Sequence, residues 1–101
     1  MKKLEQFTML IGLNDKDTKH QEISTEKAIE VVSNVISGGS ISTIKGVYEH
    51  EDGTKVKENT LKVDILYTDS NKVLAYATGL KKLLNQESIL ISKDYINGMF
   101  V

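Results

Sequence analysis

Residues 60–67 read Thr-Leu-Lys-Val-Asp-Ile-Leu-Tyr, with Leu61, Val63, Ile65 and Tyr67 on one parity and Thr60, Lys62 and Asp64 on the other. A period of two with one apolar phase predicts a strand buried on a single face. Just upstream, Asp52-Gly53 within Glu51-Asp52-Gly53-Thr54 supplies the positive φ angles of a tight turn, so residues 40–67 are expected to form one antiparallel hairpin. A sheet with an apolar face needs cover, and that need constrains the rest of the chain.

Before the hairpin, Phe7, Met9, Ile11 and Leu13 alternate with Thr8, Leu10 and Gly12, which predicts a first strand over residues 4–13, apolar on most of both faces and central. Gly12 is expected to let a helix lie close. Residues 14–22 are charged and lack apolar anchors, as an exposed, mobile loop does. Ser24 or Thr25 then caps a helix, Ile23 is placed to staple onto Ala28, and Ala28, Val31, Val32, Val35 and Ile36 make its apolar stripe up to a stop at Gly38-Gly39. In the first hairpin arm Ile41 and Ile44 fall on opposite parities, so a bulge near Lys45-Gly46 is expected. Residues 49–58 are charged on both faces and should project beyond the core.

Thr68-Asp69-Ser70-Asn71 opens a second helix, carried by Val73, Tyr76, Ala77, Leu80, Leu83 and Leu84 as far as Asn85. Ser88-Ile89-Leu90-Ile91-Ser92 reads as a short last strand, and residues 93–101 as an apolar tail docked on its own domain or on a second copy. The order β-α-β-β-α-β predicts an α+β fold of the ferredoxin-like plan, a four-stranded antiparallel sheet with two helices on one face. Its length of 101 residues suits one domain. Proteins of this plan often pair sheet to sheet, so a homodimer is expected by analogy.

Composition removes whole classes of chemistry. With no cysteine the chain has no disulfide, no thiolate nucleophile and no cysteine-bearing metal site. A net charge of -1 offers no basic excess for nucleic acid, and the 13 cationic side chains are all lysine, without arginine's planar fork. The N-terminal apolar stretch is interrupted by Glu5, Gln6 and Thr8, which reads as a strand in a cytoplasmic protein with no membrane partner.

Four short motifs carry a resemblance. Ile11-Gly12-Leu13 ends the first strand, Gly46-Val47-Tyr48 lies mid-hairpin, Glu58-Asn59-Thr60 follows in the second arm, and Gln86-Glu87-Ser88 opens the last strand. Together they resemble a small ferredoxin-like domain family of unknown function, found in bacteria and in phages and prophages of Firmicutes, which usually has Trp where Tyr48 stands. The resemblance spans residues 7–91. It implies the fold and a phage setting, and hands over no catalytic residue.

His20 and His50 are the only histidines, one in a charged loop and one beside a turn, where solvation is the simpler reading than acid-base work or metal ligation. His50 with Glu49, Glu51 and Asp52 would need a loop built to fold these groups inward to hold a cation, so no metal and no cofactor is expected. Tyr48, Lys57, Glu58 and Thr60 form the expected contact set for a ligand or partner. Their plain alternative is cross-strand pairing, Glu58 with Lys45 for example. Gln86-Glu87-Ser88 either presents polar groups to a ligand or merely caps the helix. With no nucleophile-base order and no phosphate loop, the expectation is a non-catalytic binding protein, a phage accessory or counter-defence factor that occupies a host protein or sequesters a small, anionic signalling molecule. The alternative is a small enzyme of the dimeric α+β barrel type, with His20 or His50 and Glu58 as acid and base.

Overall fold

Met9 faces Val63 on one side and Ile91 on the other, with none of its surface exposed. Around it the odd positions of strand β1 (Lys2–Gly12) fall in register with those of β3 (Lys55–Ile65), Phe7 beside Ile65 and Ile11 beside Leu61. All four side chains are buried. Each removes an apolar group from water at about 1.5–3 kcal/mol, and the two helices, α1 (Thr25–Val35) and α2 (Ser70–Leu83), close over them with Ala28, Val32, Val73, Ala77 and Leu80. The computed structural model describes residues 1–49 and 52–101, and of Tyr48 the backbone alone.

With β2 (Ser40–Glu49) and β4 (Leu90–Gly98) the sheet runs β2-β3-β1-β4, every neighbour antiparallel. The element order is β-α-β-β-α-β, the ferredoxin-like plan read from the sequence. No helix among the described residues is long and apolar enough to cross a membrane.

Local chemistry sets the boundaries. The Ser24 hydroxyl accepts from the Lys27 N–H and starts α1, and the Asp69 carboxylate accepts from the Lys72 N–H and starts α2. Lys81 and Lys82 stand at the negative end of α2. Gly38-Gly39 does not stop α1, since the chain is already extended at Ile36. Gly39 serves the next strand instead: a Cβ there would lie 2.7 Å from the Asp64 carbonyl oxygen.

Three further expectations change. The β2-β3 register is unbroken from Ser40↔Asp64 to Glu49↔Lys55, so there is no bulge at Lys45-Gly46. Ile41 and Ile44 instead serve opposite faces, Ile41 beside buried Val63 and Ile44 beside Thr60 with 40% of its surface exposed. Strand β3 ends at Ile65, and Tyr67 adopts a left-handed φ of 56° with its ring largely in solvent. The last strand is longer than its apolar run: Leu90–Gly98 pairs with β1 from Leu10 back to Lys2, which absorbs most of the expected tail. Beyond it Met99, Phe100 and Val101 are exposed rather than docked, apart from a stacking of Phe100 on Tyr67 at 5.4 Å between centroids.

Candidate functional site

The helices cover one face of the sheet and leave the even positions of β1 on the other. There the Thr8 hydroxyl donates to the Asp64 carboxylate, and Leu10 lies between Lys62 on β3 and Leu90 on β4. At the end of β1 this face deepens into a cleft of about 670 Å³. Leu10, Val56 and Leu90 give it apolar lining, and Asn14, Asp15, Lys16 and Lys19 line it together with Gln86, Glu87 and Ser88.

Glu58 is one of the carboxylates that line it. It stands on β3 two residues before Thr60, which pairs with Gly12. The absent side chain of Gly12 is filled by the Glu58 carboxyl group, whose three atoms lie 2.4–2.8 Å from where a Cβ would be. One of its oxygens, Oε2, accepts from the Asn14 N–H at 3.0 Å. On the other side of that residue, the Asn14 carbonyl accepts from Nε2 of buried Gln86 at 2.9 Å. Asn14 is therefore gripped through both of its backbone polar groups, a charge-assisted bond on one and an amide bond on the other.

Residues 14–22 are ordered by the same logic, against the expectation of a mobile loop. Asn14 bridges to Gln21, the Lys16 N–H donates to the Asn85 carbonyl, and Asn59 Nδ2 donates to Gln21 Oε1 at 2.8 Å. Asp15 is the hub: Oδ2 accepts from Asn85 Nδ2 at 2.8 Å, while Oδ1 accepts from the N–H groups of Asp17 and Thr18. These bonds, that of Asn85 foremost, hold the Asp15 carboxyl below its ordinary range and keep it ionised. Lys16 and Lys19 line the same cleft as the carboxylates of Asp15, Glu58 and Glu87.

The sequence-derived contact set is divided by the strand. Glu58 lines the cleft, and Thr60 lies on the same face, 3% exposed, its hydroxyl without a partner among the described residues. Lys57 is exposed on the opposite parity and does not reach the cleft. The Tyr48 backbone pairs with Val56, a cleft residue, but its side chain lies outside the described part, as do His50 and Glu51. His20 is exposed and does not line the cleft. Lys45 does not pair with Glu58, because its ammonium donates to Asn59. Gln86 bonds the carbonyl of Leu84 at the end of α2, as the capping reading expects, and it also lines the cleft. Among the described residues no cluster of His, Asp and Glu is arranged to hold a metal.

Sequence reasoning missed Leu10, Gly12, Asn14 and Asp15. Gly12 makes room for a carboxylate on the open face, not for a helix. The signal was present in Leu10 and Leu90, apolar residues on the parity that the helices do not cover.

The fold and cleft define a class: a small α+β protein of the ferredoxin-like plan with a concave cleft where the first strand, its following loop and the last strand meet. Two solved structures of a phage SAM lyase share that fold. The complex with S-methyl-5′-thioadenosine has a TM-score of 0.71 at 21% identity, over 90% of this chain and 80% of that one. The apo state has a TM-score of 0.72 at 20% identity, over 90% and 79%. CutA from Synechococcus elongatus is more distant, with a TM-score of 0.51 at 13% identity over 92% and 76%. No family model matches the chain, and no curated protein matches it in sequence.

These findings correct two expectations. The expectation of a non-catalytic binding protein gives way, because the fold neighbours are structures of a phage enzyme, one of them with a small molecule bound. Of the resemblance to a family of unknown function the fold stands, shared with structures of a phage protein, but no family model matches.

Proposed function

We propose that this chain is an enzyme that binds SAM in the cleft and cleaves it, releasing S-methyl-5′-thioadenosine. The observation that carries the reading is the Glu58 carboxylate, held by Asn14 over Gly12 within an apolar-lined cleft. The fold neighbour that holds S-methyl-5′-thioadenosine supports the choice of substrate. A volume of about 670 Å³ suits a nucleoside with a short chain.

The chemistry fits the groups present. SAM is a sulfonium cation that also carries an ammonium and a carboxylate. Leu10, Val56 and Leu90 offer apolar surface to the base, Glu58 attracts the cationic centre, and Lys16 and Lys19 offer ammonium groups to the substrate carboxylate. When the bond from sulfur to the amino-acid chain breaks, sulfur keeps the electron pair and leaves as a neutral thioether. The four-carbon fragment is completed without water in one of two ways, by attack of its own carboxylate to close a lactone or by loss of a proton from the adjacent carbon. Glu58 serves the first by holding the substrate and the second by accepting the proton.

Incubation of purified protein with SAM, followed by chromatography, is expected to yield S-methyl-5′-thioadenosine. Glu58→Gln should lower kcat/KM by about 100-fold or more. The two amino-acid products are isomers, so NMR rather than mass identifies the route. A folded protein that neither forms the thioether nor binds it in calorimetry overturns the proposal. The active form is proposed to be a homodimer, supported by the exposed Met99, Phe100 and Val101.

A further inference from the structure

We infer that Gly12 is a positioning residue whose missing side chain forms the seat of the Glu58 carboxylate, and that this seat, through Asn14, couples the carboxylate to the loop lining the cleft. Its catalytic consequence rests on the role of Glu58 in SAM cleavage, whereas the seat itself does not.

Three observations converge. Gly12 does not have a positive φ, so its backbone is one that alanine adopts without strain. The three heavy atoms nearest to a Cβ at Gly12 all belong to the Glu58 carboxyl, at 2.4, 2.6 and 2.8 Å. Real side chains do not approach so closely, so a Cβ here meets the carboxylate as placed and would have to push it aside, whereas the strand itself would accept one. Finally, the seated carboxylate accepts the Asn14 N–H at 3.0 Å, while Gln86 holds the Asn14 carbonyl.

A methyl group at position 12 displaces a flexible arm, not a piece of backbone. The sheet therefore survives Gly12→Ala while the carboxylate leaves its seat, and the Asn14 N–H loses its charged acceptor. If the methyl acts only by unseating Glu58, it has nothing to act on once that side chain is gone. Gly12→Ala added to Glu58→Ala is then silent.

The test is a double-mutant cycle on the full chain, read first with no substrate present. In the wild type the Asn14 amide proton is expected downfield and slow to exchange. Gly12→Ala and Glu58→Ala should each shift it upfield and speed its exchange, and Gly12→Ala/Glu58→Ala should match Glu58→Ala alone. With SAM, Gly12→Ala should lower kcat/KM by about the same factor as Glu58→Gln, on the order of 100-fold. An unmoved Asn14 resonance in Gly12→Ala, or additive effects in the double variant, overturns the seat. A protein that shows the coupling but does not cleave SAM overturns the substrate reading and leaves the seat standing.

Discussion

Asp15 shows how one side chain orders a segment that has no apolar anchor. Its carboxylate collects the Asn85 amide and two backbone N–H groups, and they lower its pKa because each bond favours the charged form. A group whose folded pKa is depressed contributes stability above its unfolded value and loses it as pH falls through the folded one. The ordering of the loop should thus be complete above the ordinary 3.8 and disappear below it, at the lower folded pKa. Hydrogen exchange of Asp17 and Thr18 against pH measures this. Asn85→Ala should move the loss to higher pH, toward 3.8, and an unmoved midpoint would show that Asn85 is not the main cause. Glu58 was legible in the sequence as a polar group on a paired arm, yet Lys57 was grouped with it although adjacent strand residues point to opposite faces. The alternation that located the strand already separated the two. The bond of Asp15 to Asn85 is not legible in the sequence, because only the packing of α2 brings Asn85 near.

At the scale of the element, α2 separates two leucines that the helical period had placed together. Leu84 is 5% exposed and packs in the core, whereas Leu83 is 63% exposed. Leu84→Ala should destabilise by about 2–5 kcal/mol in urea unfolding, through lost transfer energy and a cavity. Leu83→Ala should change stability by no more than about 0.5 kcal/mol. Similar losses for both would mean that Leu83 is covered in solution. Strand β4 was half legible. Its apolar run was plain, but Lys93, Asp94 and Asn97-Gly98 read as the end of a strand, and only the early start of β1 at Lys2 provides the partner that extends it. As an edge strand it has reason to be charged, since Lys93 and Asp94 discourage further pairing.

For the whole molecule, the sheet has a second face that is neither fully polar nor covered. Leu4, Leu10, Ile44, Leu90 and Ile96 fall on the parity that the helices leave open, and the residues after Gly98 add exposed apolar surface at one end. Light scattering at micromolar concentration is expected to give a mass above that of one 11.3 kDa chain. Deletion of residues 99–101 should shift it toward the monomer without unfolding the sheet. A monomer whose mass and stability are indifferent to that deletion would exclude the tail as a contact.

The sequence distance between paired strands also has a consequence in time. Strand β1 finds its partners in β3 and β4, with Lys2 opposite Gly98, so the central strand of the sheet is made first and satisfied last. A nascent chain leaving the ribosome can form the β2-β3 hairpin locally and pair β3 with β1 once residues 55–65 emerge, while the other edge of β1 stays open until residues 90–98 follow. Completion of the sheet is therefore held back until synthesis has passed β4, and the edge of β1 that β4 covers is the one left open longest.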